Sequence, residues 1–132
     1  MQFIDTHLHL QDYKTKSAPQ IIAGARAAGV EKFVCAAVTE EDWPEVAALA
    51  EAYPEVVVPA YGLHPWYAGQ ARPGWEKRLE AYLRRCPAAL VGEAGLDRLH
   101  NSEIEPQIYT CSPTWCSNPS EKLTKPFEKI LN

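Results

Sequence analysis

Four short apolar runs of strand length, each followed by a different kind of segment, govern what this chain can fold into. Phe3–Leu8 (FIDTHL) is the first run. Residues 18–28 (APQIIAGARAA) then supply small, helix-compatible side chains, with Gly29 as a natural stop. Lys32–Val38 (KFVCAAV) reads as the second strand. Asp42-Trp-Pro-Glu45 opens the second helix, with Asp42 as N-cap, a proline in the first turn and Glu45 three residues after the cap. That helix is expected to reach Tyr53, before Pro54. Val56–Tyr61 is the third strand, interrupted by Pro59. A loop over residues 62–74 leads to a third helix, Trp75–Arg85, and a fourth strand, Ala89–Gly92. Near-continuously apolar strands joined by helical crossovers predict a parallel sheet buried on both faces. The class is α/β, either a barrel or a doubly wound sheet. No GxGxxG follows the first strand, which argues against the dinucleotide-binding version.

Bulk properties narrow the function. The chain has 132 residues, 46% hydrophobic and 23% charged, the size and composition of a single globular domain. No stretch is apolar for long enough to span a membrane, and the N-terminus has no basic segment followed by an apolar one. A cytoplasmic location is expected, with Cys35, Cys86, Cys111 and Cys116 as reduced thiols. Cys111 and Cys116 have no second spaced pair with which to make a zinc knuckle. A net charge of −4 argues against nonspecific wrapping of nucleic acid. It leaves phosphoester substrates open, because bound cations reverse the field inside a pocket.

The unusual polar residues gather at strand ends. His7 and His9 are two apart, and in a strand that spacing puts both imidazoles on one face, roughly 6–7 Å apart at Cα. Two readings compete for them: the wet side of an edge strand, or a metal pair. Gly62-Leu-His64-Pro65 ends the third strand, and Gly92-Glu93-Ala-Gly-Leu-Asp97 ends the fourth. In parallel α/β folds all of these reach the same rim, which favours the metal pair. Imidazole and carboxylate are ligands of zinc and similar divalent cations, and Glu93 could ligate one ion or bridge two. Its alternative is a carboxylate at a helix N-terminus. Gly92 and Gly95 would let backbone and substrate approach Glu93. His64 is either a loop histidine or a contact to a substrate phosphate. Asp97 either orients a ligand histidine or caps a turn, and Asp5 shares the parity of the two histidines. Trp66 and Tyr67 either stack on a base or sugar or cover the core edge. His100 falls in a poorly patterned stretch.

FIDTHLHL, YGLHPW and VGEAGLD, in this order and each ending an expected strand, resemble the TatD-like branch of the amidohydrolase superfamily. The resemblance covers about residues 1–100. It implies a TIM-barrel metal-dependent hydrolase, here a partial barrel of about four βα units, with a centre of one or two divalent metal ions (Zn, Mg or Mn). His7 and His9 would be ligands from the first strand and Glu93 the carboxylate ligand from the fourth. His64 would act beside the substrate, so that His64 and Glu93 form the catalytic pair. The implied activity is cleavage of phosphodiester bonds in DNA. One alternative is hydrolysis of an ester or amide such as D-aminoacyl-tRNA; another is an inactive half-barrel serving as an assembly or binding module.

The resemblance also breaks. Two further histidines and an aspartate expected from later strands have no counterpart; only His100 follows Glu93. Glu105-Pro-Gln107 echoes a helix after the fourth strand, and residues 101–132 otherwise read as a divergent, largely irregular tail with a short amphipathic stretch at 122–131. Four βα units do not close an eight-stranded barrel. The first and fourth strands are expected to be exposed edges, open to a second copy of the chain or to a complementing polypeptide.

Overall fold

The computed structural model describes residues 2–95. Within them the order is β1 (Phe3–Leu8), α1 (Ala18–Ala27), β2 (Val30–Ala36), α2 (Asp42–Ala52), β3 (Val57–Tyr61), α3 (Trp75–Arg85) and β4 (Leu90–Val91). Two 3-10 segments, Leu10–Asp12 and Pro65–Gln70, follow β1 and β3. The four strands form one parallel sheet in the order β1-β2-β3-β4. Each crossover steps one strand in the same direction. A doubly wound sheet reverses direction at a switch point; this one does not, and its sequential winding is that of half a barrel. Right-handed crossovers then put the three helices on one face.

Local chemistry accounts for the boundaries. Ser17 caps α1 in a reciprocal capping box with Gln20, and Pro19 lies in the first turn. Gly29 ends the helix at φ +94°, a left-handed geometry that suits glycine. Asp42 departs from the expected N-cap. It is the first residue of α2, and its carboxylate accepts the backbone N–H groups of Val38 and Thr39, both at 2.9 Å. It therefore pins the loop leaving β2 rather than the free amides of its own helix.

The core lies under β2 and β3. Phe33, Cys35, Trp43, Val46, Val57 and Tyr61 are all buried there. The Tyr82 ring of α3 stands 5.2 Å from Tyr61 and 5.6 Å from Trp43, in tilted and edge-on contacts. Burial pushes the Tyr61 hydroxyl up to about 12. Burial also raises the Cys35 thiol, which keeps it protonated. α3 itself contributes no fully buried residue.

The expectation of strands buried on both faces holds for β3 and fails for β1. Five of the six β1 residues are exposed, including Phe3 and Ile4, and only Leu8 is buried. The cause is position. β1 is an edge among the described strands, and the helices pack over its neighbours, α1 against β2 and α2 against β3. The expectations for Asp97, His100, Glu105–Gln107, Cys111, Cys116 and the 101–132 tail lie outside the described residues.

Candidate metal centre

Carboxyl ends of parallel strands collect functional groups because the loops leaving them share one rim. β1 delivers His7 from inside the strand and His9 from the residue just past it. Its pairing slips here: Asp5 faces Phe33 and Leu8 faces Cys35, so three steps along β1 match two along β2. Such a bulge turns the segment out of the ladder. Asp5 Oδ1 accepts the backbone N–H of His7 at 3.1 Å, a main-chain brace for the bulge. The two imidazoles stand edge to face, centroids 5.0 Å apart.

Hydrogen bonds distinguish the three histidines. His9 Nδ1 lies 2.9 Å from the carbonyl oxygen of Ala36. A carbonyl only accepts, so in the neutral ring Nδ1 holds the proton and Nε2 keeps a free lone pair. His64 is arranged the other way. It is the N-cap of the Pro65–Gln70 segment, and its Nδ1 accepts the backbone N–H of Trp66 at 3.2 Å. The proton of its neutral ring is therefore on Nε2, which makes that atom a donor and not a ligand. The Trp66 and Tyr67 rings pack edge-on to it at 5.1 and 6.1 Å.

Glu93 joins the two sets. One carboxylate oxygen, Oε1, is 2.9 Å from His7 Nε2 and 3.8 Å from His9 Nε2, while Oε2 is 3.9 Å from His64 Nε2. The backbone of Glu93 has φ +49°, in the left-handed region that non-glycine residues seldom occupy. Its placement depends on two glycines. A Cβ on Gly62 would collide with the Gly92 carbonyl oxygen, and one on Gly92 would press within 3.0 Å of the Ala60 side chain. Gly62 is held in turn by Trp43, whose indole Nε1 donates to its carbonyl at 2.9 Å. Gly95, expected to allow a close approach, has open space where its Cβ would be.

The donor set fits a divalent cation. Ligand atoms of His7, His9 and Glu93 lie within 4.8 Å of one another. Ligands about 2.05 Å from a tetrahedral zinc are separated by about 3.3 Å, and the observed 2.9 and 3.8 Å bracket that value. The Ala36 carbonyl behind His9 is the kind of outer partner that fixes a ligand imidazole.

A second polar cluster escaped the sequence reading. Glu40, after β2, is buried with its carboxylate held by the Arg72 backbone N–H at 2.8 Å, by Arg78 through Nε and Nη2, both at 2.7 Å, and by the Arg72 guanidinium at 3.4 Å. Burial works to raise its pKa, and the Arg72 amide and Arg78 guanidinium outweigh it, holding the carboxyl below the usual range. The cluster ties the segment after His64 to the loop after β2. Its partners are more than thirty residues away, and the local text TEEDW reads as ordinary surface charge.

Residues 4–127 match the family model described as TatD related DNase. An uncharacterized metal-dependent hydrolase of Escherichia coli K12, YjjV, is 34% identical over 131 residues, covering 96% of this chain and 48% of its own. One of Haemophilus influenzae is 32% identical over 105 residues, covering 74% of this chain and 39% of its own. The 3'-5' ssDNA/RNA exonuclease TatD of Edwardsiella piscicida is 32% identical over 83 residues, covering 63% and 32%. The crystal structure of E. coli YjjV, a TatD homolog, superposes with a TM-score of 0.64 at 34% identity, over 80% of this chain and 40% of that one. The chain spans about a third to a half of the length of these relatives.

Proposed function

The chain belongs to the TatD related DNase family, and we propose that it hydrolyses phosphodiester bonds in DNA with one or two divalent cations held by His7, His9 and Glu93. The observation that carries this reading is the meeting of both β1 histidines on one oxygen of Glu93, with His64 Nε2 on the side of the other. The name of the Edwardsiella relative, an exonuclease of single-stranded DNA and RNA, supports nucleic acid as the substrate class. Two imidazoles favour zinc over magnesium, and manganese is the next candidate.

A divalent cation at such a site lowers the pKa of a coordinated water and stabilises negative charge on a phosphoryl oxygen. This chain's own side chains do the rest. The Ala36 carbonyl keeps the proton on His9 Nδ1, so that Nε2 is presented as a ligand in every turnover. Glu93 divides its two oxygens between the histidine pair and His64. His64, with its proton on Nε2, donates to a nonbridging phosphate oxygen and steadies charge that grows during attack on phosphorus. We place this chemistry in the cytoplasm, a reading supported by the free thiols of Cys35 and Cys86. No helix among the described residues is long and apolar enough to cross a membrane. We also propose that β1 and β4, edges among the described strands, are covered in the working unit by a second copy or a complementing chain. A sedimentation mass of an isolated, active monomer would refute that part.

The test combines calorimetric titration with zinc, manganese and magnesium and cleavage of labelled single-stranded DNA. Stoichiometric binding should vanish in His7→Ala and Glu93→Gln, and chelator should abolish cleavage. His64→Gln should keep binding and lose about a hundredfold in kcat. Undiminished binding in both ligand variants refutes the site. Binding without DNA cleavage, but with hydrolysis of an aminoacyl ester, moves the substrate to the alternative class.

A further inference from the structure

The carbonyl that holds His9 has a second donor. β1 stops at Leu8, opposite Cys35, so the next carbonyl of β2, Ala36, has no β1 residue across from it. Two side chains from the turn after β1 fill that gap: His9 Nδ1 at 2.9 Å and Gln11 Nε2, also at 2.9 Å. A carbonyl oxygen has two lone pairs, and here each has a donor. The Gln11 amide is not free to flip, because its Oε1 accepts the Cys35 thiol at 3.2 Å. Cys35 is fully buried, and its burial keeps the sulfur protonated and so a donor. The chain of contacts runs Cys35 thiol, Gln11 carbonyl oxygen, Gln11 NH2, Ala36 carbonyl, His9 ring. Each link permits one direction only.

We propose that Gln11 is a positioning residue for His9. With Cys35 behind it, Gln11 anchors the 3-10 turn to the end of β2, so that the His9 ring has one tautomer and one orientation before any ligand arrives. The physical argument rests on the geometry of the turn. Leu10–Asp12 has no side-chain cap of its own, and His9 stands at its N-cap with φ −110° and ψ 77°, outside both helix and strand. Buried Leu10 fixes the depth of the turn. The Leu10 side chain cannot fix its rotation, since an apolar contact has no direction, and the backbone amides of Leu10 and Gln11 reach the Cys35 sulfur rather than the carbonyl that holds His9. The Gln11 side chain supplies the directional link to that carbonyl. Removing its amide leaves Ala36 with His9 as its lone side-chain donor and loosens the His9 end of the turn. The His9 ring then samples orientations in which Nδ1 is no longer on the carbonyl and Nε2 takes the proton instead.

This inference rests on the metal-site reading for its consequence, but not for its test. The tautomer of His9 is read by nitrogen chemical shifts of the imidazole in the full chain, chelated and free of metal. The unaltered protein should show His9 protonated at Nδ1 and bare at Nε2. Gln11→Met, which keeps the volume and loses both polar contacts, should shift His9 toward a mixture of the two tautomers. Cys35→Ala should do the same more weakly, and Cys35→Ser, which keeps a donor, should restore the single tautomer. Zinc titration is the second readout: Gln11→Met should bind about tenfold more weakly, the low end for an outer partner of a ligand histidine. A folded Gln11→Met protein, with native amide shifts for β2 and β3, whose His9 remains wholly Nδ1-protonated overturns the proposal. If the tautomer moves as expected but no variant binds zinc, the metal-site reading has failed and the positioning role stands.

Discussion

β1 and β3 lie two strands apart in one sheet and divide its work between them. β1 exposes five of six residues and carries a bulge, a pair of histidines at its end and almost none of the core. β3 pairs in unbroken register with β2, buries four of its five residues outright, and places Gly62 and His64 just beyond its end. The contrast teaches that binding geometry and stability are written on different strands. A site built on β1 is free to keep side chains half in water, where ligands can reach them, because β2 and β3 hold the fold.

Three measurements would break or sharpen this division. The largest effect is expected on the β3 side, at Trp43. Its ring is buried against Tyr82, and its indole N–H holds the Gly62 carbonyl. Trp43→Ala should cost about 3–5 kcal/mol of stability, as large-to-small core changes do, and should loosen the Gly62–Gly92 contact as well. Urea unfolding followed by far-ultraviolet circular dichroism measures it; a loss below about 1 kcal/mol would mean that β3 is not the mechanical centre.

A smaller effect belongs to Glu40, whose carboxyl is held below its ordinary value of 4.5. A depressed acid contributes its stability at pH above its unfolded value and loses it as pH falls through the lower, folded value. The urea midpoint should therefore drop as pH goes from about 5 toward 3, and Glu40→Gln should flatten part of that drop. Because Arg78 is 39% and Arg72 63% exposed in their side chains, solvent screening reduces the amount to about 1 kcal/mol. An unchanged pH profile in Glu40→Gln would remove the cluster from the account. The smallest effect on stability is expected at His7, whose side chain is 61% exposed. His7→Ala should alter unfolding by no more than about 0.5 kcal/mol while stoichiometric zinc binding is lost. A folding cost comparable to that of Trp43→Ala would erase the division altogether.

What was legible in the sequence follows the same line. Element order came through because its signals are local: Gly29 as a helix stop, at a left-handed φ in the structure, and apolar runs of strand length. The convergence of His7, His9, His64 and Glu93 was legible because parallel topology sends all strand ends to one rim. The contacts that aim them were not. Gln11, Cys35 and Glu40 act on partners between 24 and 38 residues away, and neither periodicity nor residue type marks such pairs. Gly62 could have been found, since a glycine directly after a buried strand and before a rim histidine invites the question of what lies against it. Asp42 shows the limit of motif reading: residue, proline and following glutamate all suit a cap, yet the loop amides of Val38 and Thr39 are nearer partners.

The α3 helix, which offers no fully buried residue, is attached by the partial packing of Trp75, Leu79, Tyr82 and Leu83 and by one polar anchor, Arg78 on Glu40. Such a layer opens more cheaply than the sheet beneath it, and its amides should exchange with deuterium well ahead of those in β2 and β3. Each opening withdraws a guanidinium from a sequestered carboxylate, so acid that neutralises Glu40 should hasten the exchange of α3 in particular. Acid should therefore loosen the outer helix first, while the strands beneath it stay in register.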